Sequence, residues 1–122
     1  MRMRFASVLI DDEERAIDFY TNVLGFALTT AMPTPFGSRF LMFTPPDGGT
    51  NLVATKPQPT MADARVGGPT NIAWETDDLP SAYAELVAKG VTFTQPPTAQ
   101  PWGGVEAKFA DPAGNIFQLH QK

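Results

Sequence analysis

Alternating apolar and polar positions over residues 3–10, closing on Val8-Leu9-Ile10, predict a strand. Phe5, Ser7 and Leu9 fall on one face, and Ala6, Val8 and Ile10 on the other. Four acids follow, Asp11 to Glu14, which suit a helix start because carboxylates satisfy free N–H groups and oppose the positive end of the dipole. Ala16, Ile17, Tyr20, Val23 and Leu24 then recur at helical spacing, and Gly25 fits a left-handed stop, so a helix is predicted over 13–24. Short strands follow at 26–30, 38–44 and 51–55. Met32-Pro33-Thr34-Pro35 separates the first two, and the turn Pro45-Pro46-Asp47-Gly48-Gly49 separates the last two. Residues 56–69 carry three Pro and two Gly without apolar periodicity and read as a linker.

The same order then recurs. A strand at 70–76 sets Asn71, Ala73 and Glu75 on one face, with Ile72 and Trp74 on the other. Asp77-Asp78-Leu79-Pro80 starts a helix whose stripe is Leu79, Ala82, Tyr83, Leu86 and Val87, and Gly90 ends it. Strands are expected at 91–94, 105–110 and 116–120. A Pro-rich loop with Trp102 fills 95–104, and Asp111-Pro112-Ala113-Gly114-Asn115 makes a tight turn. A shift of 65 places carries Asp12 onto Asp77, Gly25 onto Gly90 and Thr29 onto Thr94. Residue identity between the halves is weak, but the order strand, helix, three strands is given twice, which marks an internal duplication. The domain reading is one unit over 1–122: a first βαβββ module at 1–56, a linker at 57–69 and a second module at 70–122.

Composition removes several functions. Nine Lys and Arg against thirteen Asp and Glu give a net charge of −4, which argues against a nucleic-acid partner. No apolar run approaches the roughly 18 residues a membrane span needs. The N-terminus lacks a signal-like apolar stretch, so no membrane partner and a cytoplasmic location are expected. Without cysteine there is no disulfide, thiolate metal site or Cys nucleophile, and with the single histidine His120 any site needing two is excluded within one chain. Nine Phe and two Trp supply ample core.

Three segments carry a resemblance to a known family. Ala110-Asp111-Pro112-Ala113-Gly114-Asn115-Ile116-Phe117-Gln118-Leu119 resembles the closing turn and last strand of the vicinal oxygen chelate superfamily, which includes glyoxalase I, bleomycin-resistance proteins and extradiol dioxygenases. Pro101-Trp102-Gly103-Gly104 and the helix end Asp18-Phe19-Tyr20-Thr21-Asn22-Val23-Leu24-Gly25-Phe26 are similar to further family segments. The resemblance implies an α+β fold: two tandem βαβββ modules forming a curved mixed sheet around a cleft. It also implies a homodimer.

Family enzymes hold a divalent metal with His, Gln or Glu from the first and last strands of each module. Carried over, these positions fall on Phe5, on Val53 (Leu52 if the register slips), on Asn71 and on Gln118. Two neutral amides offset a dication's hydration poorly, so no metal and no cofactor are expected. His120 shares a face with Gln118, and Glu75 and Glu106 are further donor candidates. The Ser7 hydroxyl faces the cleft without an activating neighbour, and Gly103-Gly104 reads as a turn rather than a phosphate loop. Arg39 reads as a surface charge, and Phe43 and Trp74 as core.

The expected function is small-molecule binding of the bleomycin-resistance type. A hydrophobic or aromatic ligand would be lined by Phe5, Ser7, Phe40, Asn71, Ala73, Trp102, Gln118 and His120, with aromatic walls and two amides for orientation. The second reading is a metal-dependent lyase, isomerase or oxygenase using Asn71, Gln118 and His120. A third is a fold kept for interaction alone.

Overall fold

The computed structural model describes residues 1–61 and 63–122. The chain forms two compact units, Met1–Gly67 and Gly68–Lys122. In the first, β1 (Phe5–Leu9) leads into α1 (Glu13–Asp18), followed by β2 (Ala27–Pro33), β3 (Arg39–Thr44) and β4 (Asn51–Thr55). In the second, β5 (Gly68–Thr76) leads into α2 (Leu79–Ala88), followed by β6 (Thr92–Ala99), β7 (Val105–Ala110) and β8 (Asn115–Gln121). Each unit holds a four-stranded mixed sheet, ordered β1-β4-β3-β2 and β5-β8-β7-β6. The first and last strands of each unit run parallel, and the remaining neighbours are antiparallel. This is the βαβββ duplication that the sequence pattern predicts. No helix among the described residues is long and apolar enough to cross a membrane.

Both helices begin on an aspartate cap, which follows from the acids placed there. Asp12 Oδ1 accepts from the Arg15 N–H at 3.0 Å, and Asp78 Oδ1 accepts from the Ser81 N–H at 3.1 Å. That backbone bond and the Ser81 hydroxyl together hold the Asp78 carboxyl below its ordinary value. Gly25 (φ +78°) and Gly90 (φ +89°) follow the two helices in left-handed conformations that only glycine adopts without strain.

The first helix keeps α geometry only to Asp18; Phe19–Val23 forms a π turn, closed by the Leu24 N–H on Phe19 O at 3.0 Å. Thr21 gives its hydroxyl to Ile17 O at 2.6 Å, a back-bond of the kind that loosens a helix. Tyr20, fully buried in that turn, lies 5.0 Å from the Phe43 ring and 5.2 Å from Phe19. Periodicity alone could not separate this turn from an ordinary helix end.

Several element limits differ from the sequence expectation, and proline explains two of them. β2 runs on through Met32 and Pro33, and β6 runs on through Pro96 and Pro97 to Ala99, where a break and a loop were expected. Both are edge strands, so a residue without an N–H can face the side that has no partner strand. Both carry an irregularity at matching points, between Leu28 and Thr30 and between Phe93 and Gln95, which leaves Thr29 and Thr94 as the bulged residues. β1 is shorter than its pattern and β5 begins at Gly68; Ala62, in the expected linker, lies outside the described residues.

One face of each sheet takes the helix. In the first unit that face buries Leu41, Phe43 and Leu52. In the second, the rings of Tyr83, Phe93, Phe109, Phe117 and Trp74 follow one another at 4.7–6.0 Å. Phe43 is thus a core residue, as expected, while Trp74 is half-buried at the edge of the ring row, against Phe117. Arg39 is not a lone surface charge: its Nε meets Glu13 Oε1 at 2.8 Å and its Nη2 meets Glu14 Oε1 at 2.6 Å.

Candidate functional site

The helix-free face of each sheet is where candidate chemistry collects. In the second unit it is built by β5, β7 and β8. The β7–β8 turn fixes its register. Asp111 Oδ1 accepts from the Ala113 and Asn115 N–H groups at 3.0 and 2.8 Å, and Asp111 Oδ2 accepts from Asn115 Nδ2 at 2.9 Å. Gly114 supplies the positive φ of +86°, and both polar side chains are buried. The Asp-Pro-Ala-Gly-Asn motif is therefore a structural device that sets which residues of β7 and β8 stand opposite each other.

With that register Glu106 lies opposite His120, and Lys108 opposite Gln118. On the other side of β8, Ala73 pairs with Gln118 and Glu75 with His120. Residues paired across strands share a face, so these six lie on one face, and the five polar ones form a patch around Ala73. His120 Nε2 and Gln118 Oε1 are hydrogen-bonded at 2.8 Å. Glu106, 9% exposed, lies 3.9 Å from His120 Nε2 and 3.8 Å from Lys108 Nζ. The Trp102 indole stacks on the imidazole, with centroids 5.7 Å apart and planes inclined by 20°, yet it remains 63% exposed. A large aromatic held in place and left open to solvent is a ready surface for a flat ligand.

Of the residues expected to line a ligand, Trp102 and Gln118 each contact His120, and Ala73 stands beside Gln118. Asn71 is set differently. It has a left-handed φ of +59° and sits inside the break between the Pro69 and Ala73 pairs of the β5–β8 ladder. Asn tolerates that conformation better than most residues, so its amide leaves the regular row at a bulge. Lys108 was missed by sequence reasoning, although the alternation Glu106-Ala107-Lys108 with the following tight turn carried the signal.

The first unit's helix-free face is mostly apolar. Ser7 pairs with Val53 and Met42 pairs with Val53 from the other side. Phe5, 38% exposed, meets Phe40 edge-on at 6.2 Å. The Ser7 hydroxyl has only apolar side chains beside it in that row. Phe36 is half exposed in the turn before β3.

A divalent ion needs several converging donors, preferably charged. No group of three or more His, Cys, Asp or Glu among the described residues is placed to hold one. Gln118 Oε1 is already hydrogen-bonded to His120, and Glu106 has an ammonium beside it. Phe5 and Val53 have no side-chain donor atom. The donor set does not fit a divalent metal.

Known proteins are similar over the whole chain. The family model described as Glyoxalase/Bleomycin resistance protein/Dioxygenase superfamily matches residues 3–119. YurT, an uncharacterized protein of Bacillus subtilis (strain 168), is 31% identical over 130 residues, covering 100% of each chain. A crystal structure of a member of that superfamily from Sphaerobacter thermophilus DSM 20745 shares 36% identity at a TM-score of 0.91, covering 100% of this chain and 98% of that one. The structure of TnmS3, an antibiotic-binding protein from Streptomyces sp. CB03234, shares 35% identity at a TM-score of 0.81, covering 99% and 95%.

Proposed function

Because the chain belongs to the Glyoxalase/Bleomycin resistance protein/Dioxygenase superfamily, we propose that it works as a small-molecule binding protein that needs no divalent metal. Its ligand is a hydrophobic or aromatic compound. The observation that carries this reading is the Trp102 indole, stacked on His120 and 63% exposed, beside the Gln118 amide. The indole offers a flat apolar surface, and the amide and imidazole offer oriented hydrogen bonds. Phe5 and Phe40 give the first unit an aromatic surface of its own. The similarity to TnmS3, described as antibiotic-binding, supports the same direction. Binding would be reversible, with no covalent step.

The test is a titration of the full chain with planar aromatic compounds of graded size, read by tryptophan fluorescence and calorimetry. Saturable one-to-one binding by metal-free protein, weakened by Trp102→Ala, is the expected result. The competing reading is a metal-assisted lyase, isomerase or oxygenase using Asn71, Gln118 and His120. It requires a stoichiometric ion on elemental analysis and a clear rise in melting temperature with nickel, cobalt, manganese or zinc. Either result would displace the binding-protein reading.

A further inference from the structure

Gly104 immediately precedes the strand that carries Glu106, and its backbone does not explain why it is glycine. Gly103 next to it has φ +100°, where any other residue is strained, but Gly104 is not in the left-handed region. On backbone grounds any L residue fits. The space is what forbids one. A Cβ built on Gly104 would lie 2.0 Å from Trp102 Cζ3, 2.5 Å from Cη2 and 2.9 Å from Cε3. The benzo half of the indole occupies the place a side chain would take. The turn that brings them together is held by the Gln100 N–H on Gly104 O at 2.7 Å and the Gly103 N–H on Gln100 O at 3.0 Å.

We propose that Gly104 is a positioning residue: the missing side chain lets Trp102 fold back over its own hairpin and lie on His120, and so creates the stacking surface for a planar aromatic ligand. The proposal rests on the binding-protein reading for its functional half, but its geometric half stands apart from any ligand. A methyl at 104 displaces the indole rather than the backbone, because the clashing atoms belong to an exposed side chain. Gly104→Ala therefore keeps the fold and loses the stack.

His120 is the single histidine, so its ring protons are read without ambiguity by NMR. Protons above an indole face are shifted upfield by its ring current. In the unsubstituted protein the His120 ring protons should stand upfield of a free imidazole, and both Gly104→Ala and Trp102→Leu should return them toward it. The binding arm uses 2-naphthol as a flat probe; Gly104→Ala should weaken it by about five- to tenfold, the scale of one aromatic stacking contact. In a Trp102→Leu background Gly104→Ala should cost nothing further, because the residue it acts through is gone. That double variant also has no indole to clash with and folds even if Gly104→Ala alone does not. An unmoved His120 signal in Gly104→Ala, or an equal loss of affinity in the Trp102→Leu background, would overturn the proposal. If 2-naphthol fails to bind the unsubstituted protein, the aromatic-ligand reading fails with it, while the NMR arm still decides whether Gly104 places Trp102.

Discussion

Across the open face of the first unit, one row of neighbours reads Ser7, Val53, Met42 and Thr30; across the second, the corresponding row reads Ala73, Gln118, Lys108 and Gln95. One step along the strands, Leu9 and Thr55 correspond to Glu75 and His120. Phe40 stands where the second unit has Glu106. The strand order and the bulges at Thr29 and Thr94 match, although the second unit adds breaks between Pro69 and Ala73 and between Gln95 and Thr98, so the chemistry has diverged further than the backbone. Buried faces must fill a volume, which constrains both copies alike. The helix-free faces differ: one is mainly aromatic and aliphatic, with Val53 buried in it, while the other carries a hydrogen-bonded polar patch under an indole. A duplicated fold of this kind can present two surfaces of different chemistry without changing how it folds.

That contrast is best attacked first where the units agree. Phe43 and Phe109 hold corresponding places on the helix side, at 0% and 2% exposure. Phe43→Ala and Phe109→Ala should each cost about 3–5 kcal/mol, measured by urea denaturation, because each leaves a cavity in a packed layer. Met42 and Lys108, on the open side of the same strands, should tolerate alanine at about 1 kcal/mol or less. A helix-side substitution that is cheap in one unit and costly in the other would break the correspondence.

The turns between the last two strands of each unit give a second, smaller contrast. Asp111 is 5% exposed and receives three hydrogen bonds. Asp47 is exposed and accepts one, from the Gly49 N–H at 2.9 Å. Asp111→Ala should cost about 2–3 kcal/mol through the buried donors it strands, and Asp47→Ala about 0.5 kcal/mol or less. Amide exchange at Asn115, whose N–H Asp111 holds, should speed up in the first variant, and Glu106 and His120 should lose their fixed register. Normal exchange there would show that the turn closes without its carboxylate.

Much of this was legible because local chemistry and global fold agreed. Capping acids, left-handed glycines and alternation each point to the same element, and the duplicated order confirms them. The edge strands were harder. Pro33, Pro96 and Pro97 read as breaks, because a sequence does not say which strands have a neighbour on only one side. The polar patch was half visible. Gln118 and His120 share a strand face by alternation, but placing Glu106 and Lys108 against them needs the hairpin register that the Asp111 turn fixes. Trp102 could be assigned to a Pro-rich loop and to the ligand lining, but not to its stack on His120, since that depends on an empty space at Gly104 rather than on any periodicity.

The smallest expected effect comes from the Arg39 ion pairs at the start of the first helix, which have no counterpart among the described residues of the second unit. Burial pushes the Glu13 carboxyl up, but hydrogen bonds from Arg39 and the charges of Arg39 and Lys56 outweigh it, leaving the group below its ordinary value of 4.5. A folded value lower than the unfolded one means stability that is present above pH 4.5 and is lost as the pH falls through the folded value. At the corresponding places the second unit has Leu79, fully buried, and Val105, with Gln121 in place of Lys56. Gln121 Oε1 accepts from the Leu79 N–H at 2.7 Å, and its Nε2 bonds Asp77 O at 2.6 Å, so an amide ties down this helix start where the first unit uses ions. The double variant Glu13→Leu/Arg39→Val transplants the apolar solution. It should leave stability at pH 7 unchanged or slightly raised, because a well-packed apolar pair replaces ions at no net loss. The single variant Arg39→Val should be the less stable of the two at pH 7, with a difference that shrinks as Glu13 takes up its proton. Thermal melts from pH 7 down to pH 3 read both effects: the unsubstituted chain should lose stability below pH 4.5 faster than the double variant. Parallel curves would mean that the Glu13 carboxylate contributes no pH-dependent stability, and that the two helix starts differ in composition alone.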